Sequence, residues 1–109
     1  RLPFEEAASG AVALETFLPA AMRLVHADMI DLPTLWRAMS YNPAKRLGLP
    51  QGRLSEGAPA DLVIFDPNAP FVMDRATLKS KSRNTPFDGQ RMQGKVIATY
   101  VSGNIVFGI

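Results

Sequence analysis

Few side chains in this sequence are equipped for chemistry, and their spacing limits what they can do together. Glu5 and Glu6 are adjacent. An acid–base pair needs two carboxylates converging on one bond, and adjacent residues diverge on any regular element, so the pair reads first as a solvated acidic turn. Glu15 is expected on the flank of a helix, where it can cap or pair locally. His26, the only histidine, falls near the end of that helix and off the centre of its apolar stripe. There it suits a surface or C-terminal dipole partner better than a base or a ligand. Asp61 and Asp66 bracket an apolar run and suit turn chemistry. Arg75, Lys79, Lys81 and Arg83 alternate with Ser and Thr and could form a phosphate patch. Only Phe87 lies near them for stacking, so a solvated loop is the plainer reading.

Other chemistries are excluded outright. With no Cys there is no disulfide framework, thiolate metal site or Cys nucleophile. One His cannot build a multi-His zinc site and leaves little for a hydrolase triad, and no Gly-x-Ser-x-Gly elbow is present. Leu47-Gly48-Leu49-Pro50-Gln51-Gly52 lacks the Lys, the spacing and the preceding strand of a phosphate loop. Twelve basic against ten acidic residues leave a net charge of +2, so no nucleic-acid partner is expected. No run approaches the ~18 apolar residues of a membrane span, and no membrane partner is expected. At 109 residues, 47% hydrophobic and 20% charged, the composition is that of one globular domain. The first residue is Arg1 rather than Met, with no apolar secretory segment after it, and a piece of a longer protein is expected.

The elements that must position these residues follow from hydrophobic period. Residues 1–10 read as a loop. Leu14, Phe17, Leu18, Ala21, Met22 and Val25 fall at offsets 0, 3, 4, 7, 8 and 11 on one helical face. Pro19 implies either a start near Thr16, with the proline in the first turn, or a bend. Asp31 as N-cap and Pro33 in the first turn begin a second helix, with Leu32, Leu35, Trp36 and Met39 on its stripe. Asn42 as N-cap and Pro43 start a short third helix to Leu47, stopped by Gly48. Leu62-Val63-Ile64-Phe65 reads as a strand buried on both faces, and Phe71-Val72-Met73 as another. Residues 79–94 show no period, and so long a loop in a small domain usually has a job. Val96–Val101, a turn at Gly103-Asn104, and Ile105–Phe107 complete four short strands. The faces around Val63, Phe65, Ile97 and Val101 are expected to need cover from elsewhere.

Three stretches resemble one family. The first runs from Pro3 through Ser9-Gly10-Ala11-Val12-Ala13-Leu14-Glu15-Thr16-Phe17-Leu18-Pro19, close to a Gly-x-x-Gly-Leu-Glu-Thr-x-Leu-Pro pattern, with Ala13 at the second Gly. The second is Asn42-Pro43-Ala44-Lys45-Arg46-Leu47-Gly48-Leu49, then Gly52-Arg53-Leu54, Gly57 and Ala60–Asp66. The third is Ser80-Lys81-Ser82-Arg83-Asn84-Thr85-Pro86-Phe87-Asp88-Gly89, then Gly94-Lys95-Val96. Together they resemble the C-terminal segment of the dihydroorotases, in the cyclic amidohydrolase superfamily.

The resemblance implies an α/β fold: the end of a metal-dependent-hydrolase (β/α)8 barrel, contributing helices, followed by a small C-terminal β-rich domain. Residues 1–49 would be the last loop and helices of the TIM-like barrel, and residues 50–109 the small domain. It implies a cytoplasmic enzyme of pyrimidine biosynthesis, carrying out zinc-dependent, reversible cyclisation of N-carbamoyl-aspartate to dihydroorotate. The zinc ligands and the catalytic Asp would all lie upstream of Arg1, so this chain alone is expected to hold no metal and to be inactive. Ser9 and Gly10 would border the substrate through the main chain, which a glycine lets approach closely. Implied partners are the remainder of the same enzyme, a second copy in a homo-oligomer, and a transcarbamoylase. Alternatives are a non-catalytic dihydroorotase-like scaffold, an allantoinase or hydantoinase, and an independent binding domain.

Overall fold

The structure, a computed structural model, describes residues 3–108; Arg1 and Leu2, at the head of the expected loop 1–10, and Ile109 lie outside the described residues. The rest of that loop is irregular apart from a 3-10 turn at Phe4–Glu6. Helix α1 spans Phe17–His26, with Pro19 in its first turn, where its missing N–H removes no intrahelical bond. The proline therefore sets the start of the helix and does not bend it. Thr16 is buried and its hydroxyl donates back to the Val12 and Ala13 carbonyls. Leu14, expected to lead the stripe, precedes the helix and is 95% exposed, whereas Met22 near the middle is 1% exposed.

Helix α2, Leu32–Trp36, begins as expected: the Asp31 carboxylate accepts the Thr34 amide N–H at 2.8 Å, with Pro33 in the first turn. Hydrogen bonding from the Thr34 hydroxyl, then from its amide, with Arg37 adding attraction, holds the Asp31 carboxyl below its ordinary 3.8. The expected break at Asn42 does not occur. The chain passes through a π-helical turn, Arg37–Tyr41, into α3, Asn42–Leu47, and Asn42 is itself helical (φ −65°, ψ −44°) with no capping role. One extra residue in a helix leaves room for the Pro43 ring without a break. Gly48 ends α3 as expected, with Leu49 N–H donating to the Ala44 carbonyl at 2.8 Å.

Among the described residues three strands replace the expected four: β1 (Leu62–Val72), β2 (Arg91–Val101) and β3 (Asn104–Phe107), antiparallel in the order β1-β2-β3. The two expected strands around Asp66-Pro67-Asn68 are one edge strand with an irregularity between Asp66 and Pro70. The Asp66 carboxylate accepts the Asn68 and Ala69 amides there, so the chain re-enters the ladder. Nor is Leu62–Phe65 buried on both faces. Burial alternates along β1, with Leu62 and Ile64 exposed and Val63 and Phe65 half-buried. Helices cover one face only: Trp36 stacks on Phe65 with centroids 5.5 Å apart and planes 7° from parallel. Ile97 and Val101 are exposed, as are Ile105, Val106 and Phe107 on β3. The hairpin turn is one residue earlier than expected, at Ser102-Gly103, where both residues take positive φ (50° and 78°).

Helix α1 lies against β2, with Gly94 of the strand facing it, buried at φ +106°. A Cβ built there would stand 3.3 Å from Met22 Cγ. Next to this contact Met73, Leu78 and Met92 form a buried cluster, with Val12, Ala20, Phe71 and Phe87 packed on it. Leu78 and Phe87 come from the long loop, which runs over 78–90, not 79–94, because the 3-10 turn before it ends at Thr77 and β2 begins at Arg91.

Candidate functional site

Segment 8–15 has no regular structure of its own up to its last residues, and its position is set by the loop between β1 and β2. Asn84, in the long loop, donates from Nδ2 to the Gly10 carbonyl at 2.7 Å. Its own carbonyl accepts the Val12 N–H at 2.8 Å. At the other end of the segment the Glu15 carboxylate accepts the main-chain N–H of Lys79 at 2.9 and 3.2 Å and of Ser80 at 3.2 Å. Glu15 is thus neither a local cap nor a helix-flank partner but the second anchor of a long-range latch. The loop without hydrophobic period does have a job, which is to hold the stretch that contains Ser9 and Gly10.

Ser9 and Gly10 are both exposed. Gly10 stands at φ +70°, and a Cβ built on it would meet nothing within 4 Å. The main chain there lies open to a molecule approaching from outside. The arrangement offers peptide groups and, among the described residues, no charged side chain beside the Ser9 hydroxyl to activate it.

The remaining singled-out residues are exposed on turns and loops or brace them. Glu5 and Glu6 sit exposed in the 3-10 turn. Asp61 accepts the Ser102 N–H at 2.8 Å and ties the hairpin turn to the start of β1. His26 is exposed in the last turn of α1, as the sequence implies. Among the basic residues, Arg75 pairs with Asp88 at 3.5 Å. Arg83 donates to the Arg75 carbonyl at 2.8 Å and to that of Ala76, and Lys79 Nζ lies 5.2 Å from the centroid of the Phe107 ring. All four basic residues, Lys81 included, are exposed in the loop, as a solvated loop requires, and three of them also brace it.

Among the described residues no three His, Cys, Asp or Glu side chains come together to hold a metal ion. The single exposed His and the separated carboxylates of this chain do not fit a zinc centre. A cleft of about 620 Å³ lies elsewhere, between α2 and the ends of β1 and β2. Leu32, Trp36, Leu54, Val63, Phe65 and Val101 make its wall largely apolar, and it shares no residue with the latch. Its character is that of an uncovered packing face, not of a reaction site.

Sequence reasoning singled out Glu15 for the wrong contact and did not single out Asn84. Both stand in stretches that carry the resemblance, but nothing local in either stretch points to the other. Among the described residues no helix is long and apolar enough to cross a membrane.

Comparison with known proteins agrees with this layout. Dihydroorotase from Geotalea daltonii is 44% identical over 103 residues, which is 94% of this chain and 24% of the relative. Dihydroorotase from Syntrophus aciditrophicus is 44% identical over 104 residues, 95% of this chain and 24% of the relative. This chain therefore spans about a quarter of the length of the curated relatives it matches. Among solved structures, L-hydantoinase (dihydropyrimidinase) from Arthrobacter aurescens superposes with a TM-score of 0.87 at 33% identity, over 94% of this chain and 23% of that one. A D-hydantoinase at 21% identity shares the fold, with a TM-score of 0.86 over 96% of this chain and 23% of that one. The helices-then-sheet arrangement is thus one segment of a larger fold. The pattern of the Amidohydrolase family covers residues 10–107, and the chain belongs to that family.

Proposed function

We propose that this chain is the C-terminal part of a dihydroorotase, which interconverts N-carbamoyl-aspartate and dihydroorotate in pyrimidine biosynthesis in the cytoplasm. The observation that carries the reading is the 44% identity to a dihydroorotase over nearly the whole chain, against 33% to the L-hydantoinase. In this reading residues 1–49 close a barrel and residues 50–109 belong to a small β-rich domain. Zinc is held by residues outside this chain, consistent with a donor set here that does not fit it.

Ring closure joins the carbamoyl nitrogen to a side-chain carboxyl carbon with loss of water, and hydrolysis returns the water across the same C–N bond. What this chain supplies is binding and orientation. The Ser9-Gly10 loop presents main-chain N–H groups to a planar ring that bears a carboxylate. Hydrogen bonds of that kind to a charged group are stronger than neutral ones and directional. The open side of Gly10 leaves room for the ring to approach the peptide plane.

The test is to assay the full-length protein that carries this segment with dihydroorotate and, separately, with a hydantoin, and to measure its metal content. Turnover of dihydroorotate with bound zinc is expected. Turnover of the hydantoin alone would place the protein with the hydantoinases, and turnover of neither would favour the non-catalytic scaffold.

A further inference from the structure

We infer that Asn84 is a positioning residue for substrate, aiming the main-chain N–H groups of Gly10 and Ala11 outward; this rests on the reading that the Ser9-Gly10 loop meets substrate. The Nδ2 of Asn84 is 2.7 Å from the Gly10 carbonyl and 3.5 Å from the Ser9 carbonyl. Two successive carbonyls therefore face one amide. Only the donor end of the Asn side chain suits them, because its oxygen would meet two acceptors. In a trans peptide the C=O and the following N–H point in opposite directions. Holding the Ser9 and Gly10 carbonyls toward Asn84 turns the Gly10 and Ala11 N–H groups away from it. Among the described residues neither N–H has a partner. The result is a pair of neighbouring donors on the open side of the loop, suited to the carboxylate of a cyclic amide.

Asn84 is braced for this task. Its main-chain carbonyl takes the Val12 N–H at 2.8 Å, so side chain and main chain grip the same segment on either side of Ala11. Glu15 pins the far end to Lys79 and Ser80. The long loop in turn is anchored in the core by Leu78 and Phe87. Asn84 acts through the loop and touches no reacting atom.

The experiment compares Asn84→Asp, Asn84→Ala and Gly10→Val with the wild type in the full-length enzyme, reading KM and kcat for dihydroorotate, melting temperature, and hydrogen exchange at the amides of residues 10–12. Asn84→Asp keeps the shape but sets an acceptor against two carbonyls. It should raise KM by about tenfold, the equivalent of one misplaced charge-assisted hydrogen bond, with kcat within about twofold. Asn84→Ala, which carries the test if the Asp variant fails to fold, should raise KM in the same direction and speed exchange at residues 10–12. A purely structural role would lower kcat or melting temperature and leave KM where it was, and that outcome overturns the inference. If Gly10→Val raises KM while both Asn84 variants leave it unchanged, Asn84 is not the positioning residue although the loop does meet substrate. If none of the three moves KM, the substrate reading of the loop falls and the inference falls with it.

Discussion

Gly10 occupies the left-handed region, where a branched side chain is strained whatever the space around it. In the full-length enzyme Gly10→Val should weaken dihydroorotate binding by about 1.5–3 kcal/mol, roughly ten- to a hundredfold, by displacing a donor to the carboxylate. Ser9→Ala keeps the peptide group and should leave KM unchanged, because the exposed hydroxyl has no part in main-chain recognition. Steady-state kinetics of the two variants checks both expectations, and equal KM values for Gly10→Val and wild type would remove the loop from the substrate site. Asp31 gives a pH signature of a different kind. Its carboxyl is held below 3.8, so its support of α2 is present above that pH and is lost as the pH falls through the lowered value. Thermal melts of wild type and Asp31→Ala should therefore differ most near neutrality, with the gap narrowing at pH 3. A gap that widens in acid would contradict the assignment of the cap as an ionised one.

At the scale of elements, the contact of α1 with β2 depends on the absence of a side chain at Gly94. Its φ of +106° strains any side chain, and the Met22 Cγ at 3.3 Å from a notional Cβ would have to give way. Gly94→Val should push helix from strand and destabilise by about 1–3 kcal/mol from overpacking, with backbone strain added. Met22→Ala, made at a side chain only 1% exposed, should destabilise by about 2–5 kcal/mol through the cavity it leaves. Denaturant unfolding followed by circular dichroism measures both. Because the two residues touch, the double variant should be less destabilised than the sum, as the truncated Met22 makes space for the new side chain. Strict additivity would show that α1 does not seat on β2 through this pair.

For the whole molecule, the notable property is how much apolar surface the segment leaves open. Phe4 and Leu14 are fully exposed, and Ile64, Ile97, Val101, Val106 and Phe107 line sheet faces and an edge strand that the helices do not reach. Contiguous apolar surface of this kind marks interaction sites or aggregation hazards. The isolated 109-residue chain should therefore bind a hydrophobic dye strongly and self-associate at micromolar concentration, whereas the full-length protein should do neither. Dye fluorescence and light scattering on the two proteins decide it. A dye-silent, monomeric isolated chain would mean that these faces need no further cover.

How much of this was legible in the sequence depended on whether the determinant was local. The start of α1 near Thr16, the Asp31 cap, the Gly48 stop, the turn role of Asp66 and the order of helices before strands all follow from residues a few positions apart. Capping, proline geometry and period act over that range. The readings that failed were those a neighbour in space decides. β1 stays whole because β2 pairs with it on both sides of the irregularity, at Asp66 and again from Pro70. Leu62–Phe65 looked doubly buried because a short apolar run does not say how many layers cover it; here only one face meets a helix. The latch is the clearest case. Ser9 and Gly10 could be named from a motif, but which groups hold them is a matter of Glu15 reaching Lys79 and Ser80, and of Asn84 reaching Gly10. Those hydrogen bonds join segments more than sixty residues apart, and only folding α1 onto β2 brings them within reach of each other.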